Sequence, residues 1–581
     1  MTAVAATARR VSDAPAVHGR RVLTVGLPVI AAVFVLLTVP FLNQPVDSWE
    51  WLNRSAARSI VVSGVPALGV APGAGAGPQS LVLFHPPSSA YLAALSLWLL
   101  GDGEWQARLP GVVVGLLTGI GLALLVRRRL GADPAAAWVA TVAAAVYLLH
   151  AATVHGALYL GFSDGTLLPL TWVLFVAAWL ETGRRGMWLR ILAMGGCLAL
   201  ALWAKVTTSL ALPATLAVVA AITYRARAAV TLSLGTAAVG FGLFLVTWWV
   251  YVLHLARRVD ATPASLWGEP FRYLADEGSV FSLEGFLLSS VRLVLYFGPF
   301  LLAAAAAAVV RGLQETIQGR RERPEALVPA LVIVVTVAYL VLPGGVGAFP
   351  KYHLVILPFV AWLVATELGR SADHHWPRLV VVAGVGAVYF ALVVGDPVKV
   401  LNYDLRMAQL EGGAGQAVAR LAVALGLSAA FLGVARAVCG GWRAALLAAI
   451  VASQLGLVAV QARGGYFTTH LYGTPVSEFT RTIDLLRSGT PVGSAIVALP
   501  EVGYAAGRPL VPGIARRLWH EPAELSALIR RTAPSAVVWG TPSHTLAQVR
   551  GLEQDSVLAE ALARDYRRHA VGGFTVWLRV R

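Results

Sequence analysis

The chain has 581 residues, of which 57% are aliphatic, aromatic, Met or Cys and only 13% are charged, whereas soluble proteins carry about 25% charged residues. That balance excludes a soluble globular enzyme and specifies an integral membrane protein. The net charge of +16 comes almost entirely from arginine, since Lys205, Lys351 and Lys399 are the only lysines. Outside the C-terminal region the arginines fall mostly in short loops between apolar runs, which is the mark of membrane topology and not of a nucleic-acid surface.

The N-terminal tail, residues 1–21, carries Arg9, Arg10, Arg20 and Arg21 ahead of an apolar run at 22–42. That run is long for a signal-peptide core and ends in Phe41-Leu42-Asn43-Gln44-Pro45 without a small-x-small cleavage site, so it reads as an uncleaved first span. A crossing helix needs about 20 apolar residues. By that measure further spans are expected near 107–126, 134–151, 165–181, 187–204, 208–224, 229–256, 285–310, 326–343, 350–368, 378–395, 416–438 and 442–462, about thirteen in all. The apolar stretch 87–101 reaches only about 22 Å at 1.5 Å per residue and reads as a helix lying along the interface. A Gly/Ala/Pro-rich loop at 64–78 joins it to another interfacial segment at 47–62.

With 87–101 kept out of the crossing count, the arginine-rich segments share one side: the N-terminal tail, 127–133, 181–190, 225–227, 311–325, 370–378 and 436–443. The positive-inside rule then places the N-terminus in the cytoplasm and delivers residues 463–581 to the external face. That tail is soluble in composition and reads as a small α/β domain. It has an apolar run at 495–500, a helix at 522–532, a second run at 536–539, a helix near 556–566 and a closing strand at 574–578. The expected domains are therefore a cytoplasmic tail (1–21), a transmembrane domain (22–462) and an extracytoplasmic α/β domain (463–581). Cys197 and Cys439 belong to different apolar runs, which supports neither a disulfide framework nor a thiolate metal site.

Ionisable residues at membrane depth, or in external loops too short merely to solubilise, are functional candidates. On the external side these are Asp47, Glu50, His85, Arg108, His155, Asp164, Lys205, Arg292, Lys351 and His353. Each has an ordinary explanation taken singly: Asp47 and Asp164 could cap helices, Arg108 and Arg292 could snorkel, and His85 could be a turn residue. Their convergence on one face, mixing acids with cations, is what an active site handling an anionic lipid and a proton requires.

The run Phe84-His85-Pro86-Pro87-Ser88-Ser89-Ala90-Tyr91-Leu92, followed by Leu99-Leu100-Gly101-Asp102-Gly103-Glu104-Trp105-Gln106-Ala107-Arg108-Leu109-Pro110, resembles the signature of the membrane glycosyltransferases of the GT-C fold. The branch it resembles holds the bacterial relatives of the protein O-mannosyltransferases and the lipid A aminoarabinose transferases. Asp47 stands where that family has the first acid of an Asp-Glu pair. Gly161-Phe162-Ser163-Asp164 is similar to its later helix-opening Asp, Ala201-Leu202-Trp203-Ala204-Lys205 to its LxxK segment, and Pro350-Lys351-Tyr352-His353-Leu354-Val355-Ile356-Leu357-Pro358 to its RYllPllP stretch. Two features depart from the pattern: Ser48 follows Asp47 in place of Glu, with Glu50 three positions on, and the tyrosines after the two prolines are reduced to Tyr91.

The resemblance implies an α-helical polytopic membrane protein of GT-C fold in the bacterial plasma membrane. Its implied activity is transfer of a hexosyl or pentosyl group, such as mannose or arabinose, from a polyprenyl-phosphate donor to an acceptor hydroxyl on a glycan, lipid or protein of the cell envelope. Cations that stay charged in a dehydrated cleft would hold the donor phosphate: Arg108, Lys205, Lys351 and, with less support from its position inside a span, Arg292. A carboxylate would take the acceptor proton: Asp47, with Asp164 or Glu50 orienting the acceptor or the base. His85, Tyr91, Tyr352 and His353 would complete the substrate site. No cofactor is required, and no donor set supports a divalent cation. One base and an outgoing phosphate imply single displacement with inversion. The rival classes are a polyprenyl-linked sugar flippase, which should show paired half repeats and a midplane site, and a non-catalytic envelope-assembly partner.

Overall fold

The computed structural model describes residues 23–46, 48–68, 81–83, 85–131, 135–181, 186–271, 281, 283–319, 323–341, 350–372, 376–394, 415–464, 466–467, 474–511, 522–540 and 551–580. They form two compact units. One draws on residues within 1–42, 55–395 and 426–459, the other on residues within 43–54, 396–425 and 460–581.

Among the described residues the first unit is helical apart from an isolated bridge between Ala67 and Leu81, because a backbone surrounded by hydrocarbon satisfies its N–H and C=O groups only within the helix itself. Among the described residues eleven helices are long and apolar enough to cross a bilayer, and the pair Ala136–Leu148 and Ala151–Leu158, bent by 59°, makes a twelfth. The chain is thus a multi-pass membrane protein. The expected span at 326–343 appears as Leu327–Val341 and the stretch at 87–101 as Ser88–Leu100, of 15 and 13 residues. The second rises only about 20 Å and is too short to cross, as its sequence implied.

Breaks in these helices have specific chemical causes. The single helix expected over 285–310 is in fact two, Leu283–Phe297 and Pro299–Ile317. Gly298 sits at φ +80°, in left-handed space open chiefly to glycine, and Pro299 has no N–H to continue the first ladder. The carbonyl of Phe297 is taken up by Gln454 Nε2 at 3.1 Å, with His150 Nε2 at 3.3 Å. His150 also caps Ala151–Leu158, its Nδ1 accepting from Ala152 N at 3.0 Å. Both helix breaks therefore meet at the same pair of polar side chains.

A third case is Pro110, inside the long helix Glu104–Leu130. The proline orphans the carbonyl four residues back, at Gln106, and Ser96 Oγ of Ser88–Leu100 donates to it at 2.6 Å. That bond fastens the short helix to the long one. Ser96→Ala is expected to cost ~1 kcal/mol by the loss of a buried hydrogen bond, measurable as a lowered melting temperature in detergent.

The second unit holds a four-stranded sheet of β3 (Ile496–Val497), β4 (Ala536–Gly540), β5 (Tyr566–Val571) and β6 (Phe574–Arg579), ordered β3-β4-β6-β5, with a separate antiparallel pair β1 (Tyr466–Phe467) and β2 (Thr474–Pro475). β3 and β4 run parallel; the other pairings are antiparallel. Period-two alternation gives the sheet two buried faces. Ile496, Ala536 and Val538 pack with Phe479, Ile483 and Leu486 of helix Val476–Gly489. Val497, Val537 and Trp539 pack with Leu525 and Ile529 of helix Pro522–Thr532 and with Leu558 and Leu562 of helix Ser556–Asp565. Burial raises the Tyr566 hydroxyl to about 12, and it donates to Pro534 O at 2.8 Å.

Candidate active site

The helix Met187–Ala204 ends where Lys205 takes an extended backbone, φ −165° and ψ 120°, before the chain re-enters a helix at Val206. This interruption turns the Lys205 side chain into the protein interior, where it is 2% exposed. Its Nζ meets both oxygens of Asp164, Oδ1 at 3.0 Å and Oδ2 at 3.1 Å. Asp164 is equally enclosed, at 6% exposure. A buried ion pair of this kind costs several kcal/mol per ion in desolvation, and its value as stability is small. A functional reason for retaining it is therefore the stronger explanation.

Asp164 owes its place to backbone geometry. It lies in a π-helical turn, Ser163–Leu167, that opens the helix Leu168–Glu181, and π turns concentrate at functional sites. The turn packs directly on Ala151–Leu158 through two glycines. A Cβ on Gly165 would fall 2.2 Å from the carbonyl oxygen of Gly156, and one on Gly156 would fall 2.9 Å from the Cα of Gly165. Ser163 Oγ is 3.1 Å from Ser89 Oγ, tying the turn to the segment that follows His85-Pro86-Pro87.

Above the ion pair lies an aromatic group. Lys205 Nζ sits 3.9 Å from the ring centre of Tyr352, a cation–π contact. Tyr352 stacks on Tyr339 at 5.3 Å, and the Tyr339 hydroxyl bonds to Thr208 Oγ1. His353 meets the edges of Tyr339 at 5.5 Å and Phe297 at 6.4 Å. It is 1% exposed, and among the described residues neither ring nitrogen has a hydrogen-bond partner. Leaving a buried polar group unsatisfied costs ~1–3 kcal/mol, which makes the imidazole available to a further hydrogen-bond partner.

The structure thus brings together Asp164, Lys205, Tyr352 and His353, all expected site residues, from positions nearly two hundred residues apart. Tyr91 belongs to an aromatic group with Tyr251 and Trp203: its hydroxyl is 3.3 Å from that of Tyr251, whose ring packs on Trp203 at 5.6 Å. Burial holds the Tyr91 phenol above its usual range. Arg108 is fully buried, with Nε donating to Leu158 O at 3.0 Å and Nη1 to Leu42 O at 3.1 Å. These contacts close the C-terminal end of Ala151–Leu158 and secure the end of the first span, so the guanidinium expected to hold the donor phosphate here makes main-chain bonds. His155 packs on the edge of Phe41 at 5.3 Å. His85 is half-buried ahead of Ser88–Leu100, and Glu50 is buried in the first turn of Ser48–Ser63. Asp47 lies outside the described residues, as do the side chains of Lys351 and Arg292. Among the described residues no group of three His, Cys, Asp or Glu is arranged to hold a metal.

Four contributors were not expected from sequence: Thr208 and Tyr339 beside the pair, and His150 and Gln454 at the helix breaks. Tyr339 and Gln454 sit inside apolar spans, where a hydroxyl or an amide is itself the available signal.

This architecture is that of a polytopic membrane protein of the GT-C fold. It matches ArnT from Cupriavidus metallidurans in the apo state with a TM-score of 0.59 at 18% identity, covering 95% of this chain and 97% of that one. The same enzyme bound to undecaprenyl phosphate matches with a TM-score of 0.57 at 19% identity and the same coverage. Residues 84–251, which carry the His-Pro-Pro segment, Asp164 and Lys205, match the family model described as dolichyl-phosphate-mannose-protein mannosyltransferase. A search of curated proteins by sequence finds no match.

Proposed function

We propose that the protein is a glycosyltransferase that moves a sugar from a polyprenyl phosphate to an acceptor hydroxyl at the external face of the bacterial plasma membrane. The observation that carries this reading is the buried Lys205–Asp164 pair beneath Tyr352, with an unsatisfied imidazole one residue away. Undecaprenyl phosphate bound to a protein of the same fold supports the donor class. A lipid-linked donor also accounts for a reactive site built into a helical membrane unit, since the tail enters sideways from the bilayer.

In the proposed reaction the acceptor oxygen attacks the anomeric carbon while the bond from that carbon to the phosphate oxygen breaks. The electron pair leaves with the polyprenyl phosphate, and the acceptor proton passes to Asp47. Lys205 supplies one donated hydrogen bond to the outgoing phosphate. Because Asp164 neutralises much of its charge, Lys351 and Arg292 carry the further positive charge that the phosphate requires. Asp164 holds the ammonium in place, Glu50 assists the base, Arg108 fixes the frame, and His85, Tyr91, Tyr352 and His353 line the substrate. Single displacement inverts the anomeric centre. On this reading the N-terminus is cytoplasmic and the α/β unit extracytoplasmic.

The test is incubation in lipid nanodiscs with a panel of polyprenyl-phosphate sugars and a cell-envelope extract, read by mass spectrometry. Wild type is expected to transfer one sugar and Asp47→Asn to bind the donor without transfer. Donor binding without transfer by both proteins would instead indicate lipid translocation or an accessory role.

His353→Phe separates binding from folding. Filling the site with an apolar ring removes the unsatisfied nitrogens, so thermal stability is expected to rise by ~1 kcal/mol or more, while donor affinity falls about tenfold. Unchanged donor affinity would remove His353 from the substrate site.

A further inference from the structure

At the other end of the helix bundle from Arg108, the first unit has an open cavity of about 450 Å³, within the range of small-ligand sites. Arg108 and Arg129 stand near opposite ends of the helix Glu104–Leu130, about 32 Å apart at 1.5 Å per residue. The cavity opens among the ends of four spans: Glu104–Leu130, Pro299–Ile317, Tyr352–Gly369 and Trp442–Val460. Helix ends mark the headgroup zone of a bilayer, so the cavity lies at headgroup depth, toward the Arg129 end of Glu104–Leu130.

Its wall is charged and dipolar. Arg129, Arg311 and Arg443 line it together with Glu315, Glu325 and Glu367. Arg129 Nε pairs closely with Glu325 at 2.6 Å. Arg311 and Arg443 converge on one carboxylate, Glu367, through Nη1 at 2.9 Å and Nη2 at 3.2 Å. Two guanidiniums carry ten N–H donors between them, and in these ion pairs each commits one nitrogen. Both arginine side chains remain about half exposed, at 51% and 48%, whereas Glu367 is 16% exposed. The result is a positive locus at Arg311 and Arg443, with carboxylates at Glu315 and Glu325 on the same wall and Trp362 and Leu363 as apolar lining.

We infer that this cavity binds the headgroup of a zwitterionic, primary-amine phospholipid, phosphatidylethanolamine. The phosphate would lie across Arg311 and Arg443, which match its oxygens as planar forks, and the ammonium would donate to the carboxylates. A choline headgroup has no N–H to donate and a glycerol headgroup no cation, so the pocket's paired charges select the ethanolamine. The site is independent of the donor site and of the reaction proposed there.

The test measures lipid-dependent melting of the full-length protein in detergent, with phosphatidylethanolamine, phosphatidylcholine or phosphatidylglycerol added, or inorganic phosphate alone. Phosphatidylethanolamine is expected to raise the melting temperature most, with an apparent affinity about tenfold weaker in Arg443→Gln. Arg443→Lys, which keeps the charge and the pairing with Glu367, guards against a folding defect and is expected to retain part of the response. Equal protection by phosphatidylglycerol or by phosphate alone would make this a plain anion site and overturn the assignment. An undiminished phosphatidylethanolamine response in Arg443→Gln would also overturn it.

Discussion

Lys205→Met is expected to abolish sugar transfer, by a hundredfold or more, and to destabilise the protein by ~3–5 kcal/mol, the usual consequence of leaving one buried partner without its counter-charge. The two losses have different origins. Asp164 is 6% exposed and lies in the π turn Ser163–Leu167, so removing the ammonium leaves a buried carboxylate without its counter-charge. The transfer loss arises from the missing donor to the outgoing phosphate. A double variant, Lys205→Met with Asp164→Asn, restores electrical neutrality and is expected to recover most of the stability but none of the activity. Chemical denaturation of both proteins, alongside transfer assays on a matched donor, completes the cycle. Recovery of activity in the double variant would remove the phosphate role from Lys205 and leave the pair a structural one.

Gly165→Ala is expected to be nearly as damaging without touching a single charged group. The added methyl would fall 2.2 Å from the Gly156 carbonyl oxygen, and the obstruction is main chain, so no side chain can rotate away. The turn must separate from Ala151–Leu158, at a cost of ~3 kcal/mol, and Asp164 moves with it. Gly196 is the matched control. It lies in Met187–Ala204, where an added methyl would meet nothing within 4 Å, so Gly196→Ala is expected to stabilise by ~0.5–1 kcal/mol through the helix preference of alanine. If Gly165→Ala melts with wild type and transfers normally, the glycine contact does not position the acid.

The contrast between these residues also explains what was legible in the sequence. Apolar run length identified nearly every span, because bilayer thickness imposes it directly. Run length is blind to backbone dihedrals, and the helix expected over 285–310 is broken at Gly298 although the Gly-Pro step stood in plain view. Asp164, Lys205 and His353 were each visible as polar residues in the wrong solvent, and Tyr352 only through the family resemblance, yet hydropathy does not say that Asp164 and Lys205 touch. Tyr339, Thr208 and Gln454 escaped because each is a single polar side chain within an apolar or short connecting stretch. In the α/β unit the buried strands β3, β4 and β6 read clearly as apolar runs. β5 did not, since Tyr566-Arg567-Arg568-His569 alternates about a mostly solvent-facing strand.

That same strand protects the unit from a hazard common to open sheets. β3 is flanked by Leu510, which bridges Ile496, and the two faces are filled by helices, so β5 is the border where another chain could add itself. Its exposed Arg567 and Arg568, the latter 3.3 Å from Glu553, would meet their own like charges in any self-pairing. A unit beside its copies is thereby kept from pairing edge to edge.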